Sequence, residues 1–148
     1  MPLFNDTEET FAVFVKELGA RGIAYVHVMD HTESSVNAPE PSPLANRIEI
    51  ILRNYRSLLP KETVLMVAGA MTRERADRLL AEGTVDIIVF GRWFISNPDL
   101  VERLRNHWPL NEPKPEMFYP KPRTSTDKLG EGYTDYPPFI PQSDMRST

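Results

Sequence analysis

Cysteine is absent from the 148-residue sequence, which excludes disulfide bonds and cysteine-based metal sites or nucleophiles. No apolar run approaches the roughly 20 residues of a membrane helix, and the acidic start, MPLFNDTEE, lacks the pattern of a signal peptide. Only 17 Lys and Arg stand against 21 Asp and Glu, a net charge of −4, which argues against nucleic acid or anionic membranes as the main partner. We therefore expect a cytoplasmic protein with neither partner.

The first 108 residues alternate between strand-like and helical apolar spacing. Short runs rich in β-branched residues predict strands at 23–29, 64–68 and 85–90. Helical spacing predicts helices before, between and after these strands, with N-caps at Thr72 and at Ser96 or Asn97. Strands that are apolar almost throughout and separated by helices indicate an α/β fold, in which a parallel sheet is covered on both faces.

Residues 109–148 have a different character, because eight of the fourteen prolines lie after Trp108 and no periodicity persists. This composition predicts an extended tail that either wraps the domain or is disordered. The aromatic residues favour wrapping for the middle of the tail, because disordered segments are usually poor in them; they are Phe118, Tyr119, Tyr133, Tyr136 and Phe139. The sequence thus predicts a domain at 1–108 and a tail at 109–148.

Two adjacent predicted strands end in glycine, in Val-Ala-Gly69-Ala70 and Val-Phe-Gly91-Arg92. In parallel α/β proteins, ligands lie beyond the carboxyl ends of the strands, where glycine lets the backbone approach them closely. Arg92 adds a bidentate donor suited to phosphate. The alternative is that both glycines make tight turns and that Arg92 is a solvated surface residue. The residues alone leave both interpretations open.

The three histidines are dispersed along the chain, which makes a metal site improbable. His27 shares a strand face with Tyr25 and Met29, as a hydrogen-bonded residue of a barrel layer would. His31 lies in a polar loop, and His107 ends the last helix, where the dipole favours a cation. We assign no metal ligand to them.

The stretch FGRWFISNPDLVERLRNHWPLN at 90–111, with MFYP and GYTDYP downstream, resembles the C-terminal part of the old yellow enzyme family. Members are FMN-dependent ene-reductases built on a (β/α)8 barrel. GIAYVHVMD is similar to the sixth strand of that barrel, and VLMVAGAMTRERADRLL to its seventh strand and helix. The resemblance implies that residues 1–108 form a partial TIM barrel, with about the last three of eight βα units.

The resemblance also implies site residues. The two glycine turns would bind the FMN phosphate through Gly69, Ala70, Gly91 and Arg92. Phe118 and Tyr119 match a Phe-Tyr pair near the flavin ring, and Tyr119 would reach the substrate. The loop 30–43 matches a segment that partly covers the active site. The family's substrate-binding pair, His/Asn or His/His, and its proton-donating tyrosine belong to strands that this sequence lacks, so we assign no catalytic residue.

The function implied by the resemblance is NAD(P)H-dependent reduction of activated C=C bonds by an FMN oxidoreductase, with NADPH as reductant and an enone-like substrate. A barrel of about 250 residues is much longer than this chain. We therefore expect the isolated chain to be incomplete and to need a complementary barrel fragment or a homo-oligomer. The alternative is a truncated, repurposed or inactive member that acts as a partner-binding protein or as a non-redox biosynthetic protein.

Overall fold

The structure, a computed structural model, describes residues 7–30, 43–69, 71–118 and 130–141. These residues contain three strands, β1 (Tyr25–Asp30), β2 (Val64–Gly69) and β3 (Ile87–Val89). The helices are α1 (Thr7–Ala20), α2 (Pro43–Leu58), α3 (Arg73–Ala81), α4 (Arg92–Ser96) and α5 (Leu100–Asn106), followed by a short 3-10 helix at Pro115–Met117. None of the helices in these ranges has both the length and the apolar character needed to cross a membrane.

The strands form one parallel sheet in the order β1-β2-β3. Tyr25 pairs with Val64 and Asp30 with Gly69, while Met66 pairs with Ile87. Each strand therefore lies beside its neighbour in the sequence and is connected to it through a helix, as in successive βα units. The predicted α/β fold with a parallel sheet is confirmed.

One face of the sheet is packed and the other is open. Leu65 and Val67 of β2 alternate onto the packed face and are 0% exposed, as are Leu52 of α2 and Leu79 of α3. The opposite face leaves large apolar side chains in solvent, with Tyr25 57% exposed, and Met29 and Ile87 also exposed. The prediction of cover on both faces is therefore wrong for the described part of the chain, since its helices cover one face. In a complete barrel, side chains from the other strands would fill the open face.

Arg56 and Asp86 stabilise the amino end of the sheet, where the strands begin. Arg56 donates to the backbone oxygens of Leu59, Pro60 and Thr63, at 3.2, 2.7 and 2.9 Å, and pairs with the Asp86 carboxylate. That carboxylate also accepts from the Leu65 backbone N–H at 2.7 Å. Asp86 is thereby fixed just before β3, which is shorter than the predicted 85–90.

Contacts along the chain divide it into two compact units, Met1–Val89 and Phe90–Thr148. In the second unit, Arg103 of α5 is 3% exposed and holds two tail segments. It donates to the carbonyls of Pro109 at 2.6 Å and Pro137 at 2.9 Å, and to the Asp99 carboxylate at 2.6 Å. The Phe139 N–H donates to the same carboxylate at 2.7 Å. This part of the tail therefore packs on α5, while the boundary at residue 108 stays a prediction.

The predicted N-cap of the last helix is wrong. Asp99 occupies the cap position of α5, whereas Ser96 and Asn97 are buried. The Asn97 amide instead exchanges two hydrogen bonds with the backbone of Asn111, at 3.1 and 2.7 Å. A long-range contact has replaced the local cap. The cap predicted at Thr72 is confirmed, because its hydroxyl accepts from the Arg75 N–H at 3.2 Å.

Candidate cofactor site

Gly69 ends β2 in a conformation that only glycine adopts readily. Its φ is +116°, and a Cβ built there would lie 2.1 Å from the backbone oxygen of Asp30, its register partner. The next turn is tight, since the Met71 N–H donates to the Gly69 oxygen at 2.6 Å. The glycine is thus required by the close approach of β1 and β2 at their carboxyl ends. Ala70, predicted to share this site, lies outside the described residues.

A buried cluster of charges lies beside this turn. Arg75 of α3 contacts the Asp30 carboxylate at 2.8 Å and that of Glu49 at 3.4 Å. Arg78 makes a bidentate pair with Glu49 at 2.7 and 2.8 Å. The Arg78 hydrogen bond, more than any other contact, lowers the pKa of Glu49 below its ordinary value, although burial opposes the shift. The ends of β1 and α3 are therefore joined by paired charges, which the sequence did not predict.

Gly91 and Arg92 follow β3 at the start of the second unit. Gly91 is the N-cap of α4 with φ −100°, and a Cβ there would meet no described atom within 4 Å. The backbone conformation of Gly91 does not require glycine. The consequence of having no side chain at this position is open space beside the backbone. Arg92 is the first residue of α4 and is half-buried, which differs from a fully solvated arginine. An arginine partly withdrawn from solvent thus follows an open backbone position in the chain.

Phe118 is half-buried and follows the 3-10 helix at Pro115–Met117. The segment leading to it is held by the tail, because the Lys114 N–H donates to the Tyr136 hydroxyl at 3.2 Å. Gly132, with φ +71°, lies so close to Met117 that a Cβ there would come within 2.6 Å of it. Phe118 is therefore on a fixed segment, while Tyr119 lies outside the described residues.

The histidines occupy separate places. His27 is exposed on the open face of the sheet with Tyr25 and Met29, as their alternation indicated. His107 is the C-cap of α5 in a left-handed conformation, with φ 57°, and His31 lies outside the described residues, as does nearly all of the loop 30–43. Across 7–30, 43–69, 71–118 and 130–141, no three His, Asp or Glu side chains are grouped so as to hold a metal ion.

Parallel βαβ units with glycine turns define an α/β protein of the class in which ligands bind at the carboxyl edge of the sheet. The profile of the NADH:flavin oxidoreductase / NADH oxidase family matches residues 3–111. The chain belongs to this family. Its resemblance to old yellow enzymes is thereby confirmed.

Several curated proteins of the family are similar to this chain. 12-Oxophytodienoate reductase 2 of Arabidopsis thaliana is 31% identical over 127 residues, which cover 83% of this chain and 29% of that protein. The easA protein of Claviceps fusiformis, described as a "probable inactive dehydrogenase", is 30% identical over 152 residues, covering 98% and 37%. The chain spans about a third of the length of these relatives.

Solved structures extend the likeness to the fold. Morphinone reductase superimposes with a TM-score of 0.70 at 31% identity, covering 93% of this chain and 32% of that one. The old yellow enzyme of Trypanosoma cruzi gives 0.68 at 30% identity, covering 93% and 32%. One structure of morphinone reductase contains tetrahydroNAD. The predicted partial (β/α)8 barrel is confirmed, since the chain matches about a third of such a fold.

Proposed function

We propose that this chain is the phosphate-binding part of an FMN-dependent oxidoreductase that reduces activated C=C bonds with NADPH. The observation that carries the proposal is the match to a flavin oxidoreductase family across residues 3–111, which include both glycine turns. The substrate is an enone-like small molecule. NADPH as the reductant follows the resemblance of the sequence to ene-reductases, and NADH is the alternative, since the matching family is named for NADH.

The residues present fit the phosphate of FMN. Gly69 ends β2 at the carboxyl edge of the sheet, and the backbone N–H groups of Gly69 and Ala70 would donate to the phosphate, as the family resemblance implies. Gly91 leaves space for a ligand to approach the backbone, and the Arg92 guanidinium beside it can donate two hydrogen bonds to one phosphate. Phosphate is thus the ligand chemistry that suits both turns.

Two further residues are proposed to contact the flavin ring and the substrate. Bound FMN supplies the hydride chemistry that protein side chains lack. Phe118 would contact the flavin ring from its fixed segment, and Tyr119 would reach the substrate. No residue of this chain is assigned a proton-transfer step. The chain's own contribution is to hold and orient the cofactor.

Activity requires further strands. The described residues supply three of the eight strands of a barrel, and each of β1 and β3 has one edge without a described neighbour. Copies of a three-stranded unit add up to six or nine strands, never eight. A complementary set of five βα units, in the same polypeptide or another, therefore suits the open edges better than a homo-oligomer.

A second function is favoured by the open face of the sheet. Tyr25, Met29 and Ile87 expose apolar surface that a partner protein could cover without any flavin. A repurposed, inactive family member would use this face for binding alone. Such a protein would bind neither FMN nor substrate, which separates it from the first proposal.

The first experiment is a visible absorption spectrum of the purified chain after incubation with FMN and removal of the excess, alone and with the N-terminal five βα units of a relative. Retained flavin with shifted bands supports the proposal, and NADPH and enone assays would follow. A colourless protein in both mixtures would refute it and favour the partner-binding function.

A variant tests the phosphate contact. Arg92→Ala should weaken FMN binding by about 1.5–3 kcal/mol, the range for a hydrogen bond to a charged group, or roughly 10- to 150-fold. Riboflavin, which has no phosphate, should bind equally to both forms. Arg105→Ala removes an exposed arginine of α5 and serves as the control. An equal effect of the two substitutions on FMN binding would show that Arg92 does not contact the phosphate.

A further inference from the structure

The ion pair between Asp30 and Arg75 joins the carboxyl end of β1 to α3, and neither residue has a role in the site proposed above. Both side chains are buried, with Arg75 Nη1 2.8 Å from Asp30 Oδ2. Asp30 is also the register partner of Gly69. The pair therefore lies beside the first glycine turn, at the edge of the sheet where ligands of such folds bind.

A buried ion pair is a poor means of stabilising a fold. Removing two charges from water costs several kcal/mol per ion, and well-packed apolar residues of similar volume are often as stable or more so. Here three buried charges are grouped, because Glu49 lies 3.4 Å from the Arg75 Nε, while Arg78, the second partner of Glu49, is 46% exposed. The desolvation cost of this grouping points to a role in geometry.

The geometry that Arg75 controls is that of the turn between β2 and α3. Its backbone N–H donates to the Thr72 hydroxyl at 3.2 Å, which fixes the end of the turn. Its guanidinium holds Asp30, whose backbone oxygen is in close contact with Gly69 at the beginning of the turn. The Met71 N–H bond to Gly69 closes the turn between these two points. Arg75 thus contacts both ends of this segment, the beginning through Asp30, which its guanidinium holds, and the end through its backbone N–H.

We propose that Asp30 and Arg75 are positioning residues that fix the direction of the backbone N–H groups in the turn 69–72. The inference rests on the proposed function, because the ligand for which these groups are oriented is the FMN phosphate. Neither residue contacts the phosphate itself. The consequence is specific: loss of the pair loosens the turn and weakens the binding of phosphate-bearing flavin, while the flavin ring is unaffected.

The test replaces both charges at once. Arg75→Met alone would leave a buried carboxylate and could unfold the chain, so the main variant is Asp30→Leu/Arg75→Met, which leaves Glu49 with its bidentate Arg78 partner. A second variant, Arg75→Lys, keeps the charge but loses the planar fork. Arg53→Met is the matched control, since Arg53 forms an exposed pair with Glu82 at 2.7 Å.

The first readout needs no flavin. Amide hydrogen exchange at positions 71 and 75 should become at least tenfold faster in the double variant and in Arg75→Lys. The Thr63 amide, which is bonded to the Pro60 oxygen in the same unit, should keep its exchange rate. Exchange at Met71 and Arg75 that stays at the wild-type rate in a folded variant would overturn the proposal, whatever the flavin result. The control should match wild type at all three amides.

The second readout separates phosphate from ring. In the preparation that binds FMN, the variants should lose about tenfold in FMN affinity and nothing in riboflavin affinity, and equal losses for both flavins would overturn the positioning role. A wild-type protein that binds FMN no better than riboflavin would instead refute the proposed phosphate site. The exchange measurement then decides whether the pair holds the turn.

Discussion

Arg103 offers a quantitative test of how the tail is held on α5. Replacing it with methionine keeps much of the side-chain volume but removes the partner of Asp99 and the donors to the Pro109 and Pro137 carbonyls. It also removes the cation 5.8 Å from the centre of the Phe139 ring. Loss of one member of a buried charge pair costs about 3–5 kcal/mol. Because Asp99 keeps its bond from Phe139, we expect the lower part of that range, about 3–4 kcal/mol.

Urea unfolding followed by tryptophan fluorescence measures this loss in the relevant unit, because both tryptophans of the chain, Trp93 and Trp108, lie within Phe90–Thr148. With an m value of about 2 kcal/mol per molar urea, the midpoint should fall by roughly 1.5–2 M. Arg105→Met is the control, since Arg105 is 65% exposed and its pair with Glu102 should contribute less than about 1 kcal/mol. If Arg103→Met also costs less than about 1 kcal/mol, the tail is not held by this residue.

Two further predictions concern the first glycine turn and the acid range. Gly69→Ala should lower the free energy of unfolding by more than about 3 kcal/mol, because it adds a backbone clash to the strain of a positive φ. Gly22→Ala, at φ +67° in open space, should lower it by only about 1–2 kcal/mol in urea unfolding. Similar losses for the two variants would mean that β1 relaxes away from the turn. The pKa of Glu49 lies below its ordinary 4.5 because of the Arg78 hydrogen bond, and that of Asp99 lies below its ordinary 3.8 because hydrogen bonds from Phe139 and Arg103 outweigh burial. A carboxylate with a lowered pKa stabilises the fold at pH values above its unfolded pKa, and this stabilisation is lost as the pH falls through its folded pKa. We therefore expect the urea concentration at the unfolding midpoint to fall when the pH is lowered below about 4, and Glu49→Gln to make this fall smaller.

The parallel sheet could be predicted from the sequence because its signals are local. Runs of β-branched residues bounded by helical spacing predict βαβ units, and Thr72 before an amphipathic helix predicts a cap that the structure confirms. Gly69 was singled out by its place after a strand. Its physical reason, contact with the Asp30 oxygen, needed the strand register.

The buried polar contacts could not be predicted in this way, because they join residues far apart in the chain. Arg75 and Asp30 are brought together only when β1 and α3 pack, and periodicity indicates which face a residue occupies but not its partner. The failure at Asn97 has the same cause. Asparagine is a residue type that favours the N-cap position. In the folded unit, however, the Asn97 side-chain amide forms two hydrogen bonds with the backbone of Asn111, which lies further along the chain.

The arginines at the two ends of the sheet have different partners, and this difference supports separate roles for them. At the amino end, Arg56 donates to three backbone oxygens, those of Leu59 and Pro60 after α2 and that of Thr63 before β2. That network is explained by hydrogen-bond satisfaction. At the carboxyl end, Arg75 pairs with two carboxylates, whose burial carries a desolvation cost of its own. In barrels of this type, the carboxyl end of the strands carries function and the amino end carries stability. The charge cluster at the carboxyl end joins β1 to α3 beside the turn at Gly69, which fits the proposed role of Asp30 and Arg75 in holding that turn in one conformation.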